Sequence, residues 1–227
     1  MNTDDEFDPQ YDPQNDEFDF TQENDPASRA FWYTNRKGDT YLLQSKDGKN
    51  GKRKYSFARK LTGEPVAQLP AGYEVRELPE TAQVVIRKCK PSAIFPEEKA
   101  MLEDIIRKET VDLHAIVDVE ESSLVIYTSE AEEEIRRRPD FFQKFAIRPL
   151  SKARERQVKA DWIAQSNFHK MLRFTLVDEE ERLFHLERWC FRGSIDNWFY
   201  LTGDWPLATL AKKYVRHLGN ESFFELM

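Results

Sequence analysis

Hydrophobic and polar residues alternate with a period of two over several short runs of this chain. Most of these runs are bounded by Gly, Pro, Asn or Asp. "DTYLLQSK" (39–46) and "KRKYSFARK" (52–60) are two of them. The polar stretch DGKNG between them carries glycine at both ends, as a hairpin loop requires. "GYEVREL" and "QVVIRKC" predict a second hairpin, and "DLHAIVDV" with "SSLVIYTS" a third around Glu120 and Glu121. The clearest after the first is "HKMLRFTLVDEEERLFHLERWCFRG", whose first arm sets Leu172, Phe174 and Leu176 on one face. "AFWYTN" is aromatic enough to be a strand or an anchoring segment.

A period near 3.6 marks the helices. "FPEEKAMLEDIIRKE" has Pro96 in its first turn, Glu97 and Glu98 where the helix dipole favours acid, and Arg107 and Lys108 at its end. Met101, Leu102, Ile105 and Ile106 supply its apolar face. "EAEEEIRRRPDFFQKF" predicts a helix ended by Pro139, and "PLSKARERQVKA" (149–160) a helical connector. "GDWPLATLAKKYVRHLG" predicts the best helix, with Asp204 as N-cap, Pro206 in the first turn and Gly219 after the end. Its stripe is Leu207, Leu210, Ala211, Tyr214 and Leu218.

Strands arrive as hairpins and are not separated one by one by helices, so the expected class is α+β. Antiparallel hairpins form one or two small sheets with a few packing helices, preceded by a disordered acidic tail. The expected units are the tail over 1–28, a β subdomain over 29–95 and an α+β subdomain over 96–227. The last two are open to forming one continuous domain.

Charge changes this picture at one end. Residues 1–27 hold ten of the 41 acids and no Lys or Arg. Removing them turns a net charge of −7 into a slightly basic body. Like-charge repulsion and the prolines at 9, 13 and 26 argue against a packed tail. Phe7, Tyr11, Phe18 and Phe20 sit among its acids, in a short imperfect repeat, FDPQ and YDPQ. Acid gives long-range attraction and aromatics give burial on contact, which suits docking to a protein with a basic patch.

Assembled chemistry is sparse in the sequence. Cys89 and Cys190 are far apart and belong to no CxxC pair, so reduced thiols are expected, with no disulfide framework and no metal site. His114, His169, His185 and His217 lack partners at metal-ligand spacing. His114 reads as a hydrogen-bonded core histidine, and His185 and Cys190 point to opposite faces of a strand. No phosphate-binding glycine loop, nucleophile elbow or zincin motif occurs. No cofactor is expected. The acid runs at 132–134 and 178–181 read as solvated faces or turns. No run reaches the ~20 apolar residues of a membrane span, and MNTDDEFD lacks the basic and apolar regions of a secretory signal, so a cytoplasmic, membrane-free protein is expected.

Two constellations remain. "RWCFRGSIDNWFY" (188–200) places Arg188, Trp189, Arg192, Asp196 and Trp198 together near a Gly-Ser turn, with Trp205 expected in the same cluster. Such residues build an interface hot spot, a small pocket or an aromatic core. The hairpin 39–60 carries Lys46, Lys49, Lys52, Arg53 and Lys54 beside Tyr55. A basic hairpin can neutralise phosphates, and an open aromatic face can stack bases. The leading expectation is a non-enzymatic protein-binding function using the tail and the Trp/Arg-rich segment. The alternative is weak nucleic-acid contact through the hairpin. The tail is also expected to compete with anions for the hairpin.

Overall fold

The structure, a computed structural model, describes residues 26–48, 51–110, 113–138, 151–192 and 195–226. The protein is α+β, and every strand pairing among the described residues is antiparallel. All but the last three residues of the predicted 1–28 tail lie outside the described residues.

The first sheet holds β1 (Trp32–Thr34), β2 (Thr40–Asp47), β3 (Arg53–Ala58) and β4 (Glu64–Pro65). Leu42 pairs with both Trp32 and Ala58, so β1 and β3 flank β2 on opposite sides. β4 takes the β1 side further along, at Gln44 and Ser45. Leu43 is fully buried, Tyr55 packs edge-on to Tyr73, and Phe57 lies against Phe31. The predicted aromatic face is therefore covered, while Lys46 and Lys54 on the opposite face are exposed, beside the buried Gln44. A separate hairpin follows, β5 (Tyr73–Glu77) with β6 (Val84–Lys88).

The larger sheet is a five-stranded meander in the order β11-β10-β9-β8-β7. Its members are β7 (Ala115–Glu120), β8 (Ser123–Ser129), β9 (Phe168–Asp178), β10 (Leu183–Arg192) and β11 (Ile195–Pro206). Leu172, Phe174 and Leu176 enter the core together, as their spacing requires. They meet Leu102, Ile105 and Ile106 of α1 (Pro96–Glu109), and Leu207, Leu210 and Ala211 of α4 (Leu207–Tyr214). The opposite face carries a second cluster of Val125, Tyr127, Ala131, Ile163 and Phe168. This cluster is closed by α2 (Glu130–Arg137) and α3 (Lys152–Gln165).

Several local readings shift. Glu98 accepts from the Phe95 amide at 2.9 Å and from Arg182 at 2.9 and 2.5 Å, fixing the start of α1 to the β9–β10 turn. The predicted connector is the first part of α3, which continues to Gln165 after the Ser151 cap. Asp204 does not cap α4: it takes φ of 61° inside β11, and Pro206 occupies the capping position. Pro139 and the residues to 150 lie outside the described residues.

The two parts of the chain are cross-linked by polar contacts. Arg36 donates to Glu77 Oε1 at 2.8 Å and to the Pro79 carbonyl at 2.7 Å, and its guanidinium lies 4.9 Å over the Phe168 ring. Lys37 donates to Asn167 Oδ1 at 3.0 Å. Arg76 on β5 donates to Asp118 and Glu120 on β7.

Candidate functional site

Strand alternation sorts the Trp/Arg-rich segment onto two faces. Trp189 and Trp198 are register partners on β10 and β11, edge-on with ring centroids 5.0 Å apart. Lys170 lies 5.6 Å over Trp189, and Arg173 lies 4.5 Å over Trp198. Arg173 also donates to Glu187 Oε2 at 2.6 Å, and Lys170 pairs with Glu80 at 3.3 Å. Each cation therefore contacts both an indole ring and a carboxylate. A cation–π contact contributes about 0.5–1 kcal/mol at an exposed site.

Arg188 alternates to the other face, opposite Phe199 and Leu172. Its Nε is buried with no hydrogen-bond partner among the described residues. Arg192 ends β10 opposite Ile195. Trp205 is opposite Phe184, at the far end of β11, and does not join the Trp189–Trp198 pair. Sequence adjacency suggests one cluster, but the period of two and the length of β11 divide it.

β11 is the feature that the sequence reading misses. It is an edge strand of the large sheet, and no strand among the described residues pairs with its outer side. Register is regular from Asp196 to Tyr200 against Phe191 to Glu187. It then slips twice, between Glu187 and Leu186 and between Leu186 and Phe184. β11 supplies the extra residue each time, so its second half is bulged, and bulges protect edges from pairing. The first half has no bulge, and within it the Trp198 amide donates to Asn197 Oδ1 at 2.8 Å. Three of the seven exposed large apolar side chains of the described protein are on this strand: Phe199 at 44%, Tyr200 at 59% and Trp205 at 53%. The run Trp198–Phe199–Tyr200–Leu201–Thr202, uncharged and rich in β-formers, is the signal that identifies it.

The bulge brings together residues that lie apart in sequence. His185 meets Tyr200 edge-on with centroids 5.3 Å apart, and its Nε2 is 3.2 Å from Asp204 Oδ1. The exposed carboxylates Asp196 and Asp204 have no Lys or Arg partner among the described residues, whereas Arg173 and Lys170 are paired internally. The only charged residues of β11 itself are these two acids, while the neighbouring Arg188 of β10 has no carboxylate partner among the described residues.

The basic hairpin separates similarly. Lys46 stands directly opposite Lys54. Arg53 pairs with Glu64 at 2.7 Å, and Lys52 is exposed in the turn. Tyr55 is on the covered side against Tyr73, away from these lysines. Lys49 lies outside the described residues, as do Phe7, Tyr11, Phe18 and Phe20.

A cleft of about 920 Å³ includes Thr110, His114, Glu132, Arg156 and Arg216 in its lining. His114 is hydrogen-bonded as expected, but on the rim and half-exposed, because β7 begins only at Ala115. Its amide donates to Glu132 Oε1 at 2.8 Å, and its Nδ1 is 3.3 Å from the same oxygen. A carboxylate orienting an imidazole is half of a nucleophilic triad. Thr110, the hydroxyl on this cleft, donates instead to the Ile106 carbonyl at 2.6 Å. Among the described residues no group of three or more His, Cys, Asp or Glu assembles as a metal site, and no helix is long and apolar enough to cross a membrane.

No known family, curated protein or solved structure matches this chain.

Proposed function

We propose that this is a non-enzymatic binding protein that takes an extended segment of a partner protein onto the outer edge of β11. The observation that carries the proposal is the unpaired, regular stretch Asp196–Tyr200, lined by the exposed rings of Phe199 and Tyr200. Main-chain hydrogen bonds along such an edge supply affinity, and side chains on either face supply selection. The stiff Trp189–Trp198 pair, clamped by Lys170 and Arg173, keeps the strand in place without ordering cost on binding.

Charge defines the partner. Asp196 at one end and Asp204 at the other favour a segment with an apolar centre and basic residues at both ends. Selection of random displayed peptides on the full-length protein tests this. The expected winners alternate apolar residues between flanking Lys or Arg, and they lose binding to the Phe199→Lys variant, which charges the edge but leaves the buried core intact. Winners that bind that variant as tightly overturn the reading, and so do winners that bind the basic hairpin.

A second reading has one supporting observation. Lys46, Lys52 and Lys54 of the β2–β3 hairpin are solvent-exposed and suit phosphates. With Tyr55 against Tyr73, contact there is by charge alone, sequence-blind and salt-sensitive.

A further inference from the structure

Lys46 and Lys54 face each other across the β2–β3 hairpin, a like-charge cross-strand pair, which costs stability unless something offsets it. No carboxylate among the described residues pairs with either. Both aliphatic stems are seated on glycine backbone. A Cβ on Gly63 would stand 2.9 Å from Lys46 Cγ, and one on Gly48 would stand 3.2 Å from Lys54 Cε. The two ammonium groups are therefore steered to one exposed patch, with exposed Lys52 in the adjoining turn.

The acidic N-terminal segment enters the fold beside this patch. The turn Pro26–Arg29 lies against β4, and β4 pairs with β2 at Gln44 and Ser45, the residues just before Lys46. Asp16, Glu17, Asp19, Glu23 and Asp25 all fall within ten residues of that entry point. Ten residues span at most about 35 Å when extended, so these acids are confined near the lysines at an effective concentration on the order of millimolar.

We infer that residues 1–25 are the occupant of the Lys46–Lys52–Lys54 patch: the acidic segment docks on its own chain and shields the hairpin from other polyanions. Phe18 and Phe20, between Glu17 and Asp19 and beside Thr21, add apolar contact with the lysine stems. The contact does not depend on the β11 proposal. It also gives the net −7 protein a way to keep its only unneutralised cross-strand lysine pair among the described residues.

Zero-length carboxyl–amine cross-linking of the full-length chain, read by mass spectrometry, tests the contact. The expected products join acids of residues 1–25 to Lys46, Lys52 and Lys54 in preference to Lys212 and Lys213 of α4, which are also exposed and cationic. They should fall several-fold at about 0.5 M salt, where screening shortens to ~4 Å. A full-length chain with the ten acids changed to Asn or Gln provides the second measurement. Its amide resonances over residues 44–56 are expected to shift while those of β9 do not. Cross-links spread evenly over the hairpin and α4 lysines overturn the inference. Hairpin resonances identical in the two chains overturn it equally.

Discussion

Gly203 of β11 lies so close to His185 of β10 that a Cβ added to it would stand 2.2 Å from the imidazole Cδ2 and 2.9 Å from the Tyr200 hydroxyl. The bulge brings this backbone against the imidazole, and Asp204, with φ of 61°, meets its Nε2. Gly203→Ala is expected to destabilise the protein by about 1–3 kcal/mol, the range for forced overpacking. In a His185→Ala background the same change should cost less than half as much. Urea unfolding of the four proteins measures both values. Equal costs in the two backgrounds would show that the ring is not the obstacle.

Trp189 and Trp198 form the cross-strand pair that fixes β11 to the sheet. Each single change to Ala should lower stability, and the double-mutant cycle should return a coupling of about 1 kcal/mol for the edge-on contact. A coupling near zero would mean that Arg173 and Lys170, not the partner ring, hold each indole.

Arg76 is the clamp between the β5–β6 hairpin and the large sheet. Removing it leaves Asp118 and Glu120 part-buried without their cation. Arg76→Ala should cost about 3 kcal/mol at neutral pH, the low end for a broken buried pair. The cost should shrink at acid pH, where the Asp118 carboxyl, raised by burial, takes up its proton and no longer needs the cation. Chemical denaturation at the two pH values checks this.

Two aspartates should titrate on opposite sides of their ordinary value. Hydrogen bonds from Lys108 and Arg107 hold Asp104 below it. Burial holds Asp118 above it, with Arg76 offsetting only part of the effect. The stability that Asp104 contributes is present above its unfolded value of about 3.9 and fades as pH falls through the lower folded value. The sign is reversed for Asp118. Its ionisation costs the fold, so stability declines as pH rises from the unfolded value through the raised folded one. Carboxyl NMR titration reads both directions. A depressed Asp118 would mean that attraction to Arg76 outweighs burial.

The hairpins were legible because their signal is local. The period of two in 172–176 and the glycine-bounded turn at 47–51 each dictate their own geometry. So does α1, where Pro96 and Glu98 mark the start. β11 was not legible as an edge. A strand's place in a sheet depends on partners many residues away, and its aromatics suit a core equally well. The Gly203–Asp204 bulge, which turns the expected helix cap into a contact with His185, depends on β10. Tyr55 sits with lysines in sequence but against Tyr73 in space, because the second hairpin covers that face.

Hydrogen exchange at the outward amides of Asp196–Tyr200 tests the central proposal most directly. The probes are two synthetic peptides with the same alternating Val-Thr centre, one flanked by Lys and one by Glu. These amides should exchange freely in the protein alone and slow at least tenfold with the Lys-flanked peptide only. Amides already as protected as those of β9, or unchanged by the Lys-flanked peptide, would contradict the proposal that this edge receives a partner.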